Sequence, residues 1–320
     1  MSKKIAIVFG DPNSINSEII FKSWKKLDLS TKKRVYLISN YNLLLKQFKD
    51  LNLAIKISKV RDINEEVKGN RLKILDVGIE FKNPFKVSNN ETSKFIKKSL
   101  NLAHNLAIEK RVGGIINCAI DKKHLKKNFG VTEYLAKKCN IKNNSEVMLI
   151  KGKKLSVCPI TTHVDLKDVI KKITPKVIIS KIKTANKWYR KNYGKSPKIA
   201  ILGLNPHNAE FRPNSEEVKI ILPSIIKLKN DGIKIDGPIA ADTIFINDYR
   251  KYDLVFGMYH DQVLAPFKTL SKFEAINVTL GLKYLRVSPD HGIAKNLIRK
   301  NKANPTSLIE CIKFIKKIVK

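Results

Sequence analysis

The sequence predicts an α/β fold, and three observations predict it. Short β-branched runs alternate with longer amphipathic segments along the whole chain. Between Glu91 and Ile120 a helix-spaced segment leads straight into an apolar run, the crossover unit of a parallel sheet. With 320 residues, 43% hydrophobic and 28% charged, the chain can bury the core of one large or two medium domains. Disorder and small disulfide scaffolds are thereby set aside.

Taken in order, Ile5–Phe9 reads as a strand that breaks at the turn Gly10-Asp11-Pro12, with a helix over Ser17–Leu27 behind it. Val35–Ser39 and Leu72–Val77 are further strands. Over Glu91–Lys110 the apolar residues Phe95, Leu100, Ala103, Leu106 and Ala107 recur at helical spacing, and Gly113–Ile120 is again strand-like. The second half repeats the alternation, with strands at Leu155–Thr162, Ile199–Leu204 and Leu254–Tyr259 and helices at Leu166–Ile173, Val177–Tyr193 and Glu216–Asn230. The last helix follows Pro305 with the capping-box spacing Ser307-x-x-Glu310 and sets Leu308, Cys311, Ile312, Ile315 and Val319 on one face. Such a face must pack, so this segment belongs to the fold. No internal repeat or low-complexity linker marks a domain boundary.

Charge is the odd feature: 63 Lys+Arg against 28 Asp+Glu give a formal +35. That balance points first to nucleic acid or an anionic membrane surface. Only nine of the cations are Arg, whereas backbone and base recognition favours the bidentate, stacking guanidinium. The Lys are spread along the whole chain, which reads as a solvated surface, and a nucleic-acid partner is not favoured. Cys118, Cys139, Cys158 and Cys311 lie far apart with no C-x-x-C pair, so neither a disulfide framework nor a Cys-based zinc site is expected. The apolar run after Met1-Ser2-Lys3-Lys4 is too short for a signal-peptide core, and no run reaches the ~18 apolar residues of a membrane span. The expectation is a cytoplasmic protein with no membrane partner.

Six histidines occur in different settings. His104 in an amphipathic helix and His124 in a Lys-rich segment read as surface or packing residues. His163, His207 and His260 each stand just beyond the carboxyl end of an apolar strand, where ligands bind in open α/β sheets. Three imidazoles converging there suit one divalent transition metal and leave an open coordination position; the other reading is hydrogen-bonded loop histidines. Asp165, Asn205, Asp261 and Gln262 lie close by in sequence, as groups that orient ligating histidines do. Lys268, Asn277 and Arg286 form a donor set suited to phosphate or carboxylate. Asp242, after Gly237-Pro238, is either a general base or a helix cap.

Five ordered motifs then resemble a known family: Asn205-Pro-His207, Gly237-Pro-Ile-Ala-Ala-Asp-Thr243, Met258-Tyr-His-Asp-Gln-Val263, Ile276-Asn-Val-Thr-Leu-Gly-Leu282 and Ser288-Pro-Asp-His-Gly292. Their order and spacing are similar to those of 4-hydroxythreonine-4-phosphate dehydrogenases, enzymes of pyridoxal phosphate synthesis. The resemblance covers nearly the whole chain and is strongest from about 198 to 295. It implies an isocitrate/isopropylmalate-dehydrogenase-like fold of two α/β/α domains with a cleft, one from 1–120 plus about 288–320 and the other from about 121–287. It also implies a homodimer whose active sites use both subunits. The family's metal-binding histidines fall on His163, His207 and His260, and its substrate-binding residues on Thr132, Lys268, Asn277 and Arg286. Asp242 matches an aspartate close to the substrate, which with Lys268 makes up the expected catalytic pair, and the loop from His291-Gly292 to Pro305 is similar to the nucleotide-contacting loop of the wider superfamily. The chemistry implied is NAD-dependent oxidation of 4-phosphooxy-L-threonine, a small phosphorylated hydroxy amino acid, with loss of CO₂ to give 3-amino-2-oxopropyl phosphate. One divalent ion per site (zinc, magnesium, cobalt or manganese) would act as Lewis acid, and NADP is a possible substitute for NAD.

Departures from the family's pattern cluster in loops. Its Gly-His-Thr-Glu reads Gly130-Val131-Thr132-Glu133, and the segment Asp121–Phe129 looks shortened. Glycines are missing after Gly10-Asp11-Pro12, in Asn208-Ala209-Glu210-Phe211 and in Arg299-Lys-Asn-Lys302. Two alternatives follow: a dehydrogenase of another four-carbon phosphorylated hydroxy acid such as 4-phospho-threonate, or a non-catalytic, polyanion-binding descendant of the fold.

Overall fold

A computed structural model describes residues 3–125, 130–141, 145–246, 248–271 and 274–319. They form two compact units, Met1–Cys139 with Lys283–Lys320, and Asn140–Leu282. The division lies at 139/140 and 282/283. Residues 122–125 and 130–139 belong with the first unit, where Tyr134 donates to Asn101 and His124 meets Ser93.

The first unit opens with β1 (Ile5–Val8), every residue of which is buried. That is the pattern of a central parallel strand covered on both faces. There follow α1 (Asn16–Lys26), α2 (Leu29–Arg34), β2 (Val35–Ser39), α3 (Tyr41–Asp50), β3 (Ile57–Val60) and β4 (Leu72–Asp76). Helix α4 (Asn89–Ile108) is capped by Ser88, whose hydroxyl accepts from Glu91 N, and buries the face Phe95, Ser99, Leu100, Ala103, Leu106 and Ala107. Phe95 meets Phe9 edge-on at 6.5 Å. After β5 (Gly114–Asn117) and α5 (Val131–Lys138) the chain enters the second unit. The first unit's strand order is β3-β4-β2-β1-β5, with all pairs parallel. Because β2 lies on one side of β1 and β5 on the other, the order reverses between β1 and β5, the kind of crevice where α/β sheets take ligands.

The second unit contains β6 (Val147–Lys151), β7 (Ser156–Pro159), α6 (Leu166–Lys172) and α7 (Pro175–Tyr193). Thr174 caps α7, Pro175 fills its first position and Gly194 ends it at φ +70°. Next come β8 (Ile199–Leu202), α8 (Leu222–Asn230), β9 (Ile235–Ile239), the short α9 (Ala241–Ile244), β10 (Leu254–Gly257), α10 (His260–Ser271) and β11 (Ile276–Leu280). Their order is β11-β6-β7-β10-β8-β9, antiparallel across the first two contacts and parallel from β7 to β9. Val157, Ala200, Val255, Val263 and Phe267 lie in its core. The chain then returns to the first unit as β12 (Leu285–Pro289), parallel to β5, and α11 (Thr306–Ile318).

The predicted α/β alternation holds element by element, with one correction at the last helix. Ser307 does not cap it, because the helix already includes Thr306; the buried Ser307 hydroxyl accepts from Asp290 N instead, and Glu310 pairs with Lys313. All four cysteines are free and buried. Among the described residues no helix is long and apolar enough to cross a membrane.

Candidate active site

Sheet order decides what the histidines can do. His163 follows β7, His260 starts α10 directly after β10, and His207 follows β8; β7, β10 and β8 are consecutive parallel strands. Parallel neighbours stand ~4.8 Å apart, so the three histidines leave one edge of the sheet side by side. The His163 and His260 rings lie 5.8 Å apart between centroids. His260 Nδ1 is 3.0 Å from Asp261 Oδ1, which leaves Nε2 for a ligand, and His207 Nε2 is 3.6 Å from Asp242 Oδ2. All three imidazoles, together with Asp242, Lys268 and Asn277, belong to the second unit. Their nitrogens are not packed to mutual contact; among the described residues, three ligand atoms all within 4.8 Å of one another occur at Asp11, Asp121 and His124. A set of three imidazoles with a carboxylate beside one of them nonetheless fits a borderline divalent ion.

Two anchors set these loops. Gln262 accepts from Met258 N at 2.7 Å and donates to Gly203 O at 2.7 Å, tying the β10 turn to the β8 turn. Glu217 is fully buried and accepts from Leu204 N and Asn205 N, each at 2.8 Å, and from Asn205 Nδ2 at 3.0 Å. Burial pushes the Glu217 carboxyl up, but the hydrogen bonds from Asn205 and Leu204 outweigh it and hold the group below the usual carboxylate range. Glu217→Gln should therefore cost about 2 kcal/mol at neutral pH. A carboxyl with a lowered folded-state pKa stabilises above its unfolded pKa, so in urea melts the gap to the variant should close as pH falls below about 4. Asn205 thus holds the loop carrying His207 without touching the ring, and Asp165 caps nothing with its side chain.

In two of the three loops where glycines are missing, the backbone keeps glycine-like conformations; the loop after Gly10-Asp11-Pro12 does not. His207 to Phe211 all have φ between +50° and +56°, and Arg299 and Asn301 stand at +66° and +53°. Each costs on the order of 1 kcal/mol for a residue with a Cβ. In the β8 loop the turn is held by Asn208, which donates to Pro238 O at 3.0 Å. Asp242 lies in the first turn of α9, exposed and facing His207, and is no cap.

The substrate candidates divide between the units. Arg286 in β12 is 3% exposed, donates from Nε to Asn117 Oδ1 at 2.7 Å and from Nη1 to Thr132 Oγ1 at 3.1 Å. Thr132 lies in the first turn of α5, whose start is closed by Glu133 accepting from Gly130 N; residues 126–129 of the shortened segment lie outside the described residues. Lys268 is exposed as a residue, yet the protein around its ammonium desolvates it enough to lower its pKa. Asn277 in β11 has its Oδ1 buried without a hydrogen-bond partner among the described residues. In the first unit, His291 Nδ1 is 2.9 Å from Gly292 O, its Nε2 is buried with no hydrogen-bond partner among the described residues, and a Cβ at Gly292 would meet nothing within 4 Å. An unsatisfied ring nitrogen beside an open glycine fits a polar ligand such as a dinucleotide. Glu18, paired with Lys22, fixes the far end of that loop by accepting from Ala303 N at 2.8 Å.

Sequence reasoning missed Glu217, Asn117 and the Asp11 cluster. Glu217 and Asn117 looked like ordinary polar residues, and only their place behind a strand end distinguishes them. His124, read as a surface or packing residue, is 2% exposed.

Comparison with known proteins agrees across the chain. The sequence profile described as pyridoxal phosphate biosynthetic protein PdxA matches residues 31–315. A 4-hydroxythreonine-4-phosphate dehydrogenase of Sulfurihydrogenibium sp. (strain YO3AOP1) is 39% identical over 321 residues, covering 97% of each chain. A putative D-threonate 4-phosphate dehydrogenase of Oceanobacillus iheyensis is 31% identical and covers 98% of this chain and 97% of its own. The crystal structure of a 4-hydroxythreonine-4-phosphate dehydrogenase from Klebsiella pneumoniae superposes with a TM-score of 0.87 at 28% identity over the full length of both chains.

Proposed function

The chain belongs to the pyridoxal phosphate biosynthetic protein PdxA family, and from that premise we propose that it oxidises and decarboxylates 4-phosphooxy-L-threonine with NAD and a divalent ion. The observation that supports this most is the arrival of His163, His260 and His207 from three consecutive parallel strands at one sheet edge. His163, His207 and His260 would hold the divalent ion, which would supply Lewis acidity at the C3 oxygen, and bound NAD would supply the hydride acceptor.

The protein's own groups do the rest. Arg286, oriented by Asn117 and Thr132, is the phosphate-binding group of the first unit, and Lys268 and Asn277 are the polar substrate groups of the second. Asp242 Oδ2, beside His207, takes the hydroxyl proton. Lys268, with its pKa lowered, both neutralises phosphate and gives up a proton more readily than an ordinary lysine. His291 and Gly292 receive the nucleotide. The protein works as a cytoplasmic homodimer, and sedimentation equilibrium should report twice the chain mass.

A second reading keeps the chemistry and changes the substrate to 4-phospho-threonate. Val131, apolar at the head of α5 one residue before Thr132, favours it, since it neither donates a hydrogen bond nor titrates. The test is NADH absorbance with both substrates, NAD or NADP, and zinc, magnesium, cobalt or manganese in turn. NADH from 4-phosphooxy-L-threonine that requires the metal is expected; turnover confined to 4-phospho-threonate selects the second reading. No turnover on either, with salt-sensitive nucleic-acid binding, overturns both in favour of a polyanion-binding protein.

A further inference from the structure

In the first unit, a second set of ligating groups lies at the β1–β5 reversal. Asp11 follows β1 and Asp121 and His124 follow β5; one ligand atom from each lies within 4.8 Å of the others. The frame is tight. Asp11 N donates to Ala119 O at 3.0 Å, and Asn16 Nδ2 donates to Phe9 O and Ala119 O, each at 2.9 Å. At Gly10, φ +84°, a Cβ would stand 2.5 Å from Ala119 O, so the two turns approach as closely as only glycine permits.

One oxygen of this frame has no partner. Asp11 Oδ1 accepts from Asn13 N at 2.8 Å, whereas Asp11 Oδ2 makes no hydrogen bond among the described residues, although His124 Nε2 lies 3.4 Å away. His124 Nδ1 is 3.0 Å from Ser93 Oγ, and in the tautomer that donates from Nδ1 the ring keeps Nε2 as a ligand atom. Asp11 is 0% exposed and His124 2%, so an unpaired carboxylate oxygen lies in the interior. Such a group is costly unless a positive charge meets it.

We propose that Asp11, Asp121 and His124 bind a divalent transition-metal ion that joins the β1 turn to the β5 turn. One imidazole nitrogen and two carboxylate oxygens suit a borderline ion such as Co²⁺ or Zn²⁺ and offset its charge, with solvent completing the shell on the Asp121 side. The competing arrangement is a proton on Nε2. Lys123 Nζ, 3.7 Å from Asp121 Oδ2, is the cation an incoming ion displaces.

The test uses full-length protein carrying His207→Ala and His260→Ala, so that the histidines of the second unit do not contribute. Co²⁺ is added, bound metal is counted after equilibrium dialysis, and melting is followed by circular dichroism. One Co²⁺ per chain and a metal-dependent rise in melting temperature are expected. Adding Asp121→Asn, a nearly isosteric change at a partly exposed position, should weaken Co²⁺ roughly 100-fold or more and abolish the rise. No bound Co²⁺ in the double variant overturns the proposal, as does Co²⁺ binding that Asp121→Asn leaves intact. A ¹⁵N spectrum showing both nitrogens of His124 protonated at neutral pH with Co²⁺ in excess also overturns it.

Discussion

His260→Ala should lower metal-dependent NADH formation by about a thousandfold or more while leaving the folded state almost as stable as before. A Lewis acid contributes several kcal/mol to the barrier, and each ~1.4 kcal/mol is a factor of ten in rate, so a misplaced ion costs about three decades. His260 starts α10 just after β10, the strand between β7 and β8, and its Nδ1 lies against Asp261. Its ring is partly exposed and lies beside His163, so the stability cost should stay within about 0.5 kcal/mol. Asp261→Asn keeps the ligand and removes only its orienting charge, for which roughly 10- to 100-fold is expected. The series separates a ligand from its support. Turnover of the His260 variant within tenfold of the parent, at saturating metal, would remove His260 from the site.

Much of this arrangement was legible because parallel strands announce themselves. Ile5–Val8, Ile199–Leu202 and Leu254–Gly257 are unbroken apolar runs, and a histidine after such a run stands at a ligand-binding edge whatever the rest of the fold does. What the chain order conceals is which strands are neighbours. β10 inserts between β7 and β8 through contacts nearly a hundred residues apart for Phe256 and Cys158, and no local pattern encodes that pairing. Glu217 was hidden for a different reason. Ser215-Glu216-Glu217 resembles a solvated turn, and Glu217 is buried only because three donors from the Asn205 loop point at it. His124 lies among lysines and takes its burial from Asp11, 113 positions earlier in the chain. Ser307 fails as a cap although its spacing is right, since Asp290 N claims the hydroxyl. The left-handed run His207–Phe211 contradicts local preference outright, and tertiary contacts such as Asn208 to Pro238 sustain it.

Arg286→Lys should raise KM for the phosphorylated substrate by about a hundredfold, with a smaller fall in kcat, although the charge is kept. Burial pulls the guanidinium down to about 10, with Glu133 acting in the opposite sense, so Arg286 remains protonated at neutral pH and KM should show no Arg286 titration between about 6 and 9. Geometry is what lysine cannot reproduce. The planar fork reaches Asn117 through Nε and Thr132 through Nη1, a two-point geometry a single ammonium does not have. A lysine ammonium that satisfies Asn117 no longer reaches Thr132 or a phosphate, and one that reaches outward leaves the buried Asn117 oxygen without its donor. Either choice costs about 1–3 kcal/mol, which is roughly tenfold to a hundredfold in binding. Arg286→Met distinguishes a binding role from a structural one. An apolar side chain of similar length removes the buried charge, which is often neutral for stability, and leaves one unpaired acceptor on Asn117, so unfolding free energy should move by no more than about 2 kcal/mol. Substrate saturation should nevertheless disappear. If Arg286→Met instead unfolds while Arg286→Lys keeps the parent KM, the guanidinium serves the packing of β12 against β5 and the phosphate is held elsewhere.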